Sequence, residues 1–136
     1  MRVALGSDEG NELTAAVEAH LAGAGHSVDE PVDIGSPWPD VGRAVGEQVA
    51  SGEADLGIVC CWTGTGVSMA ANKVAGVRAA LCADAETARG ARRWNDANVL
   101  ALSLRLTTPT VATEIVDAFL SAEPDESERA NWSRLG

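Results

Sequence analysis

The stretch Leu56-Gly57-Ile58-Val59-Cys60-Cys61 constrains this chain more than any other. It is almost continuously apolar, and a strand of that kind needs cover on both faces, as in the middle of a parallel sheet. It runs straight into Trp62-Thr63-Gly64-Thr65-Gly66, which is turn chemistry, and then into Val67 to Lys73, which reads as helix. A buried strand, a glycine turn and a helix in direct succession leave few architectures open.

The same grammar repeats on either side. Arg2 to Ser7 reads as a short strand, followed by a helix from Glu12 to Ala24 with Leu13, Val17 and Leu21 on one face. His26 to Asp33 predicts a second strand, Gly35 to Asp40 a turn, and Val41 to Ser51 a helix closed by Gly52. Val77 to Cys82, Ala85 to Arg93, Asn98 to Ser103 and Thr110 to Ser121 continue as strand, helix, strand and helix. Five strands alternating with helices predict an α/β fold, a three-layer α-β-α sandwich with a parallel sheet of about five strands. Residues 1–136 read as one domain, with 122–136 as a polar C-terminal tail. In such sheets ligands bind beyond the carboxyl ends of the strands. Ser7-Asp8-Glu9, Cys61 to Gly66 and the stretch before Asn98 are therefore expected to meet.

Composition narrows the partners. A net charge of −10 disfavours nucleic acid, and no apolar run reaches the length of a membrane helix. Three cysteines, two of them adjacent, suit neither a disulfide framework nor a zinc site, and the expected compartment is the cytoplasm.

The loop Cys61-Trp62-Thr63-Gly64-Thr65-Gly66 carries the chemistry. Backbone N–H groups converging at a helix N-terminus can hold a phosphate or a developing oxyanion. Cys61 at the edge of such a nest is expected to favour thiolate, and a thiolate there can abstract a proton from carbon next to a carbonyl. Cys60 and Cys82 sit in apolar runs and read as core. No Gly-Lys-Ser/Thr follows, so nucleotide hydrolysis lacks support.

The run Gly57 to Lys73, with Gly76-Val77-Arg78-Ala79-Ala80 and Asn95-Asp96-Ala97-Asn98-Val99-Leu100, resembles the ribose-5-phosphate isomerase B and galactose-6-phosphate isomerase family. The opening Gly6-Ser7-Asp8 fits as well. The resemblance implies a Rossmann-like fold and a homodimer, sometimes paired into tetramers, with each active site at the dimer interface. It implies an aldose–ketose isomerase working through an enediol(ate), without metal or organic cofactor. Cys61 falls where one subclass keeps its base; the other uses a Glu where this chain has Ser68. Thr63 matches a residue that handles sugar oxygens, and the amides of Gly64 and Gly66 would hold the enediolate. Asn95 and Arg105 match ligand-contacting positions, and Arg129 and Arg134 partly match arginines that contact phosphate across the dimer.

Two positions depart from that pattern. Trp94 stands where family members usually carry the His that opens a furanose ring, and indole can only donate a hydrogen bond. The substrate then enters open, as a tetrose phosphate would, or another group opens it. Glu9 stands where a phosphate-binding His is usual, and would repel a nearby phosphate by on the order of 1–4 kcal/mol. That favours a hydroxyl there, or a relocated phosphate. Glu9 is also a candidate acid–base group, or simply a favourable charge near a helix start. Arg89, Arg92 and Arg93 form a basic cluster that could be a displaced anion site or a solvated helix face. Trp62 and Trp94, with Trp38, could stack on a sugar face or pack an interface. Asp8 would position substrate hydroxyls. A non-catalytic sugar-binding subunit and an epimerase using the same enediolate stay open as alternatives.

Overall fold

The computed structural model covers residues 1–136. β3 (Leu56–Cys61) is central to the sheet, and all 6 of its residues are buried. It pairs in parallel with β1 (Arg2–Ser7) on one side and β5 (Val99–Ser103) on the other. The short strands β2 (Ser27–Asp29) and β4 (Ala79–Leu81) complete a five-stranded parallel sheet in the order β2-β1-β3-β5-β4. The helices are α1 (Glu12–Gly23), α2 (Trp38–Ser51), α3 (Thr65–Asn72), α4 (Ala85–Asn95), α5 (Pro109–Ser121) and the single turn α6 (Arg129–Trp132).

Period-two alternation along β3 distributes its side chains to two separate layers. Ile58 and Cys60 join Leu13, Val17 and Leu21 of α1 and Ile115 and Phe119 of α5. Val59 and Cys61 join Val41, Val45 and Val49 of α2 and Val67 and Ala71 of α3. The adjacent thiols therefore lie on opposite faces of the sheet. Side chains cap three helices: Asn11 accepts from Thr14 N, Asp84 from Thr87 N and Thr108 from Val111 N.

Element boundaries shift for local reasons. α2 starts at Trp38, ahead of Val41, because Pro39 fits a first helical turn whose N–H groups need no intrahelical acceptor. β2 keeps three of the residues expected from His26 to Asp33; Pro31 has no N–H to pair, and Ser36 N bonds Asp33 O in a turn. β4 is trimmed to Ala79–Leu81. The Asn72 side chain both donates to Ala79 O at 3.0 Å and accepts from Ala79 N at 2.8 Å, standing in for a neighbouring strand on that edge.

Residues 122–136 fold back across α4 as short helical turns. Asp125 N donates to Arg93 O, Trp132 is buried, and the Arg129 guanidinium lies over its ring at 5.7 Å. No helix is long and apolar enough to cross a membrane.

α2 and α3 pack backbone to backbone at Gly42. A methyl group there would lie 2.5 Å from Ala70 Cβ, 2.8 Å from Val67 O and 2.9 Å from Ala71 N. Backbone atoms cannot step aside, so Gly42→Ala is expected to lose roughly 1–3 kcal/mol of stability despite its better helix propensity. Urea unfolding reads this directly. An unchanged or raised midpoint would show that the two helices separate at no cost.

Candidate active site

β1 and β3 are neighbours, yet the chain leaves them toward opposite edges of the sheet, so a crevice opens beyond their carboxyl ends. The loop after β1 is tied down there. Asp8 N donates to Cys60 O at 3.2 Å, and Gly35 N donates to Ser7 O at 3.0 Å. Ser7 Oγ and Thr14 Oγ1 both donate to Glu9 O, which holds the turn between β1 and α1.

The loop after β3 is stapled from the other side. Leu104 N donates to Cys61 O at 3.0 Å, and Arg105 N donates to Trp62 O at 2.9 Å. Ser103 Oγ also donates to Trp62 O, at 3.1 Å. Gly64 then reverses the chain at φ 77°, in the left-handed region that favours glycine. A methyl group at that position would sit 3.0 Å from the backbone carbon of Leu102, so glycine is also required by space. α3 follows at once, two residues before the expected Val67. Its N-terminus has no side-chain cap, so its first-turn N–H groups are left for a ligand.

Between these two loops lies a cleft of about 320 Å³ lined by Asp8, Trp38, Cys61, Trp62, Thr63, Thr65 and Gly66. Cys61 is 4% exposed and turned to this side. Asp8 Oδ1 is buried without a hydrogen-bond partner, which is costly unless a ligand or water supplies one. Burial first, and the charge of Glu9 second, hold the Asp8 carboxyl above the ordinary aspartate range. Glu9 itself is exposed beside Asp8, outside the lining. Trp38 packs its ring on Gly66, with ring carbons 2.9 Å from where a methyl group would stand. No lysine or arginine lines the cleft. Cys60, on the opposite face, is fully buried, and burial pushes its thiol up to about 12; Cys82 is pushed to about 11 for the same reason.

The cleft thus brings together Asp8, Cys61, Trp62, Thr63 and Gly66 from the expected set, with Gly64 shaping the turn. It leaves others out. α4 runs antiparallel to the strands and carries Trp94 and Asn95 to the amino end of the sheet. Asn98, three residues on, donates to Gly76 O and accepts from Arg78 N at the start of β4. The expectation that the stretch before Asn98 joins Cys61 is therefore wrong within one chain. Asn95 instead borders a cavity of about 380 Å³ with Asn72, Arg78 and Leu135, while Trp94 packs on Gly90 near Leu81.

Arg105 is exposed just after β5, outside the lining. Arg129 is already committed to Glu126 through two hydrogen bonds of 2.6 and 3.1 Å. The arginine cluster on α4 is also dispersed. Arg89 pairs with Glu86, and Arg92 is buried, donating to Ala97 O and Ala122 O and stacking on Phe119. Trp38, weighed from the sequence as a sugar-stacking or interface aromatic, lines the cleft, and Thr65 is the lining residue to which the sequence reading gave no role. The signal available for Thr65 was its spacing, Thr-Gly-Thr around the turn glycine. No three His, Cys, Asp or Glu side chains gather at metal-binding distances.

This arrangement offers a thiol, hydroxyls and uncapped amides around one small space, the parts needed to move a proton at carbon beside a carbonyl. Known proteins resemble the chain in sequence and in fold. The profile of the Ribose/Galactose Isomerase family matches residues 3–134. The galactose-6-phosphate isomerase subunit LacB of Clostridium acetobutylicum is 42% identical over 118 residues, which is 82% of this chain and 66% of that protein. The D-erythrulose-4-phosphate isomerase of Pectobacterium atrosepticum is 35% identical over 128 residues, 90% of this chain and 84% of that protein. The ribose-5-phosphate isomerase B structure from Clostridium thermocellum superposes with a TM-score of 0.94 at 39% identity, covering 100% of this chain and 95% of that one. With a family profile matched over residues 3–134 and the fold in common, this chain belongs to the ribose/galactose isomerase family.

Proposed function

We propose that this chain is an aldose–ketose isomerase for a small sugar or sugar phosphate of the pentose- or tetrose-phosphate class. It works through an enediol(ate), with Cys61 as the base. The observation that carries this reading is the single cleft in which Cys61, Thr63 and the uncapped start of α3 face an unpartnered Asp8 oxygen. Cys61 takes the proton from the carbon beside the carbonyl and returns it to the neighbouring carbon. The first-turn amides of α3 and the Thr63 hydroxyl stabilise the enediolate oxygen, where charge develops. Asp8, holding its proton to higher pH than an ordinary aspartate, serves the substrate hydroxyls together with Glu9.

Open-chain substrates suit this site best. Trp94 cannot exchange a proton with a ring oxygen. The relative from Pectobacterium is named for a four-carbon ketose phosphate, whose esterified terminal oxygen cannot close a stable ring. The Asp8 carboxyl in the lining, with Glu9 exposed beside it, favours a hydroxyl at that end of the cleft, so a phosphate would lie elsewhere.

The proposal includes a second copy of the chain. Trp94, Asn95 and Arg129 can contribute only across a homodimer interface, since they lie at the other end of their own sheet. Exposed Trp38, Trp62, Leu81 and Leu106 offer apolar surface for such a partner. Three free, buried thiols fit the reducing cytoplasm.

Two measurements test the reading. Iodoacetamide is expected to label Cys61 first in the folded protein at neutral pH, because Cys61 borders the open cleft, while desolvation keeps Cys60 and Cys82 protonated until about 12 and 11. In denaturant all three should react. Equal labelling of Cys60 and Cys61 in the native protein would remove the case for Cys61 as the accessible base. The second is deuterium exchange in D2O across tetroses, pentoses, hexoses and their phosphates. Deuterium should enter the carbon beside the carbonyl of at least one compound, and Cys61→Ala should slow that by at least about a hundredfold. Silence from the folded protein across the whole panel would favour a binding subunit instead.

A further inference from the structure

We propose that Thr65 is a positioning residue that sets the Thr63 hydroxyl as a hydrogen-bond donor into the cleft. This rests on the isomerase reading above, and it concerns a residue that the catalytic set did not include. The two hydroxyls meet at 2.7 Å, with either oxygen able to donate. They are brought to one side of the loop by the left-handed turn at Gly64, and both line the cleft with Cys61.

A hydroxyl has one proton and two lone pairs, so the pair has two arrangements. If Thr63 donates to Thr65, its proton is spent within the loop and it offers the cleft only lone pairs. If Thr65 donates to Thr63, the Thr63 proton is released toward the substrate. Thr65 is the first residue of α3, so the helix holds its backbone and its hydroxyl is the better fixed of the two. An oxyanion can only accept. As negative charge builds on the substrate oxygen, it selects the second arrangement, and a hydrogen bond to an anion is stronger than one to a neutral carbonyl. The benefit therefore grows toward the enediolate and appears in kcat rather than in substrate binding.

The test uses the full chain and whichever compound the wild type exchanges in D2O. Thr65→Val keeps the branched shape and removes the hydroxyl; Thr65→Ser keeps the hydroxyl. Thr65→Val is expected to lower kcat roughly three- to tenfold at unchanged KM, and Thr65→Ser to stay within about twofold of wild type. In a Thr63→Val background, the further change Thr65→Val should cost nothing, because its only partner is gone. Wild-type kcat in Thr65→Val, a loss that Ser does not rescue, or an equal loss in the Thr63→Val background would each overturn the proposal. Loss of thermal stability in Thr65→Val, matched by Thr65→Ser, would mark the residue as structural and overturn it too. A wild type that exchanges no compound overturns the isomerase reading itself, and this proposal with it. An active wild type with an indifferent Thr65→Val overturns the positioning role alone.

Discussion

The register of β3 between β1 and β5 is the constraint on which the rest depends. β3 is buried on both faces, so every residue in it must commit to one layer or the other. A slip of one residue would exchange the faces of Cys60 and Cys61. The thiol that now borders the cleft would then lie under α1 and α5, in the environment that pushes Cys60 to about 12. The chemistry proposed for Cys61 is in this sense a consequence of packing. Ser7↔Cys60 and Cys61↔Ser103 are the last pairs of that register, and they carry the two loops of the site directly.

Charge is distributed to match. With a net charge of −10 the chain has few cations to spare, and Arg2, Arg43, Arg78, Arg89, Arg92 and Arg129 already face carboxylates. The pairs at Arg2, Arg43, Arg89 and Arg129 are largely exposed and add little stability, but they reduce the positive potential available to an anion. The cleft relies instead on backbone dipoles at the start of α3 and on neutral hydroxyls. Such groups reward charge that appears during a reaction more than charge carried by the substrate on arrival.

The glycine turn shows how local chemistry and long-range packing support one another. Gly64 is needed for its positive φ and for the proximity of Leu102, while Gly66 gives room to Trp38, which enters from α2. Gly42 lets α2 approach α3 closely enough for that contact. The site is therefore held by the packing of α2 on α3 and by backbone hydrogen bonds, with little contribution from side-chain ion pairs.

Much of this was legible in the residues. The apolar run of β3 announced a central parallel strand, and the glycines after it announced a turn at a helix start. The pairing of Asp8 with Cys61 followed from topology, since both stand at carboxyl ends of strands. Boundaries were less legible where a side chain or a proline intervened, as at Asn72 beside β4 and Pro39 in α2. What local sequence determined was the order of elements and the identity of the loop that carries chemistry, because both depend on neighbours a few residues apart. Tertiary structure alone decided which side chains share the cleft. The direction of α4 takes Trp94 and Asn95 to the opposite end of the sheet, and α2 brings Trp38 onto Gly66 beside Cys61. Each is a contact set by how helices and loops return across the sheet, which residue spacing does not encode.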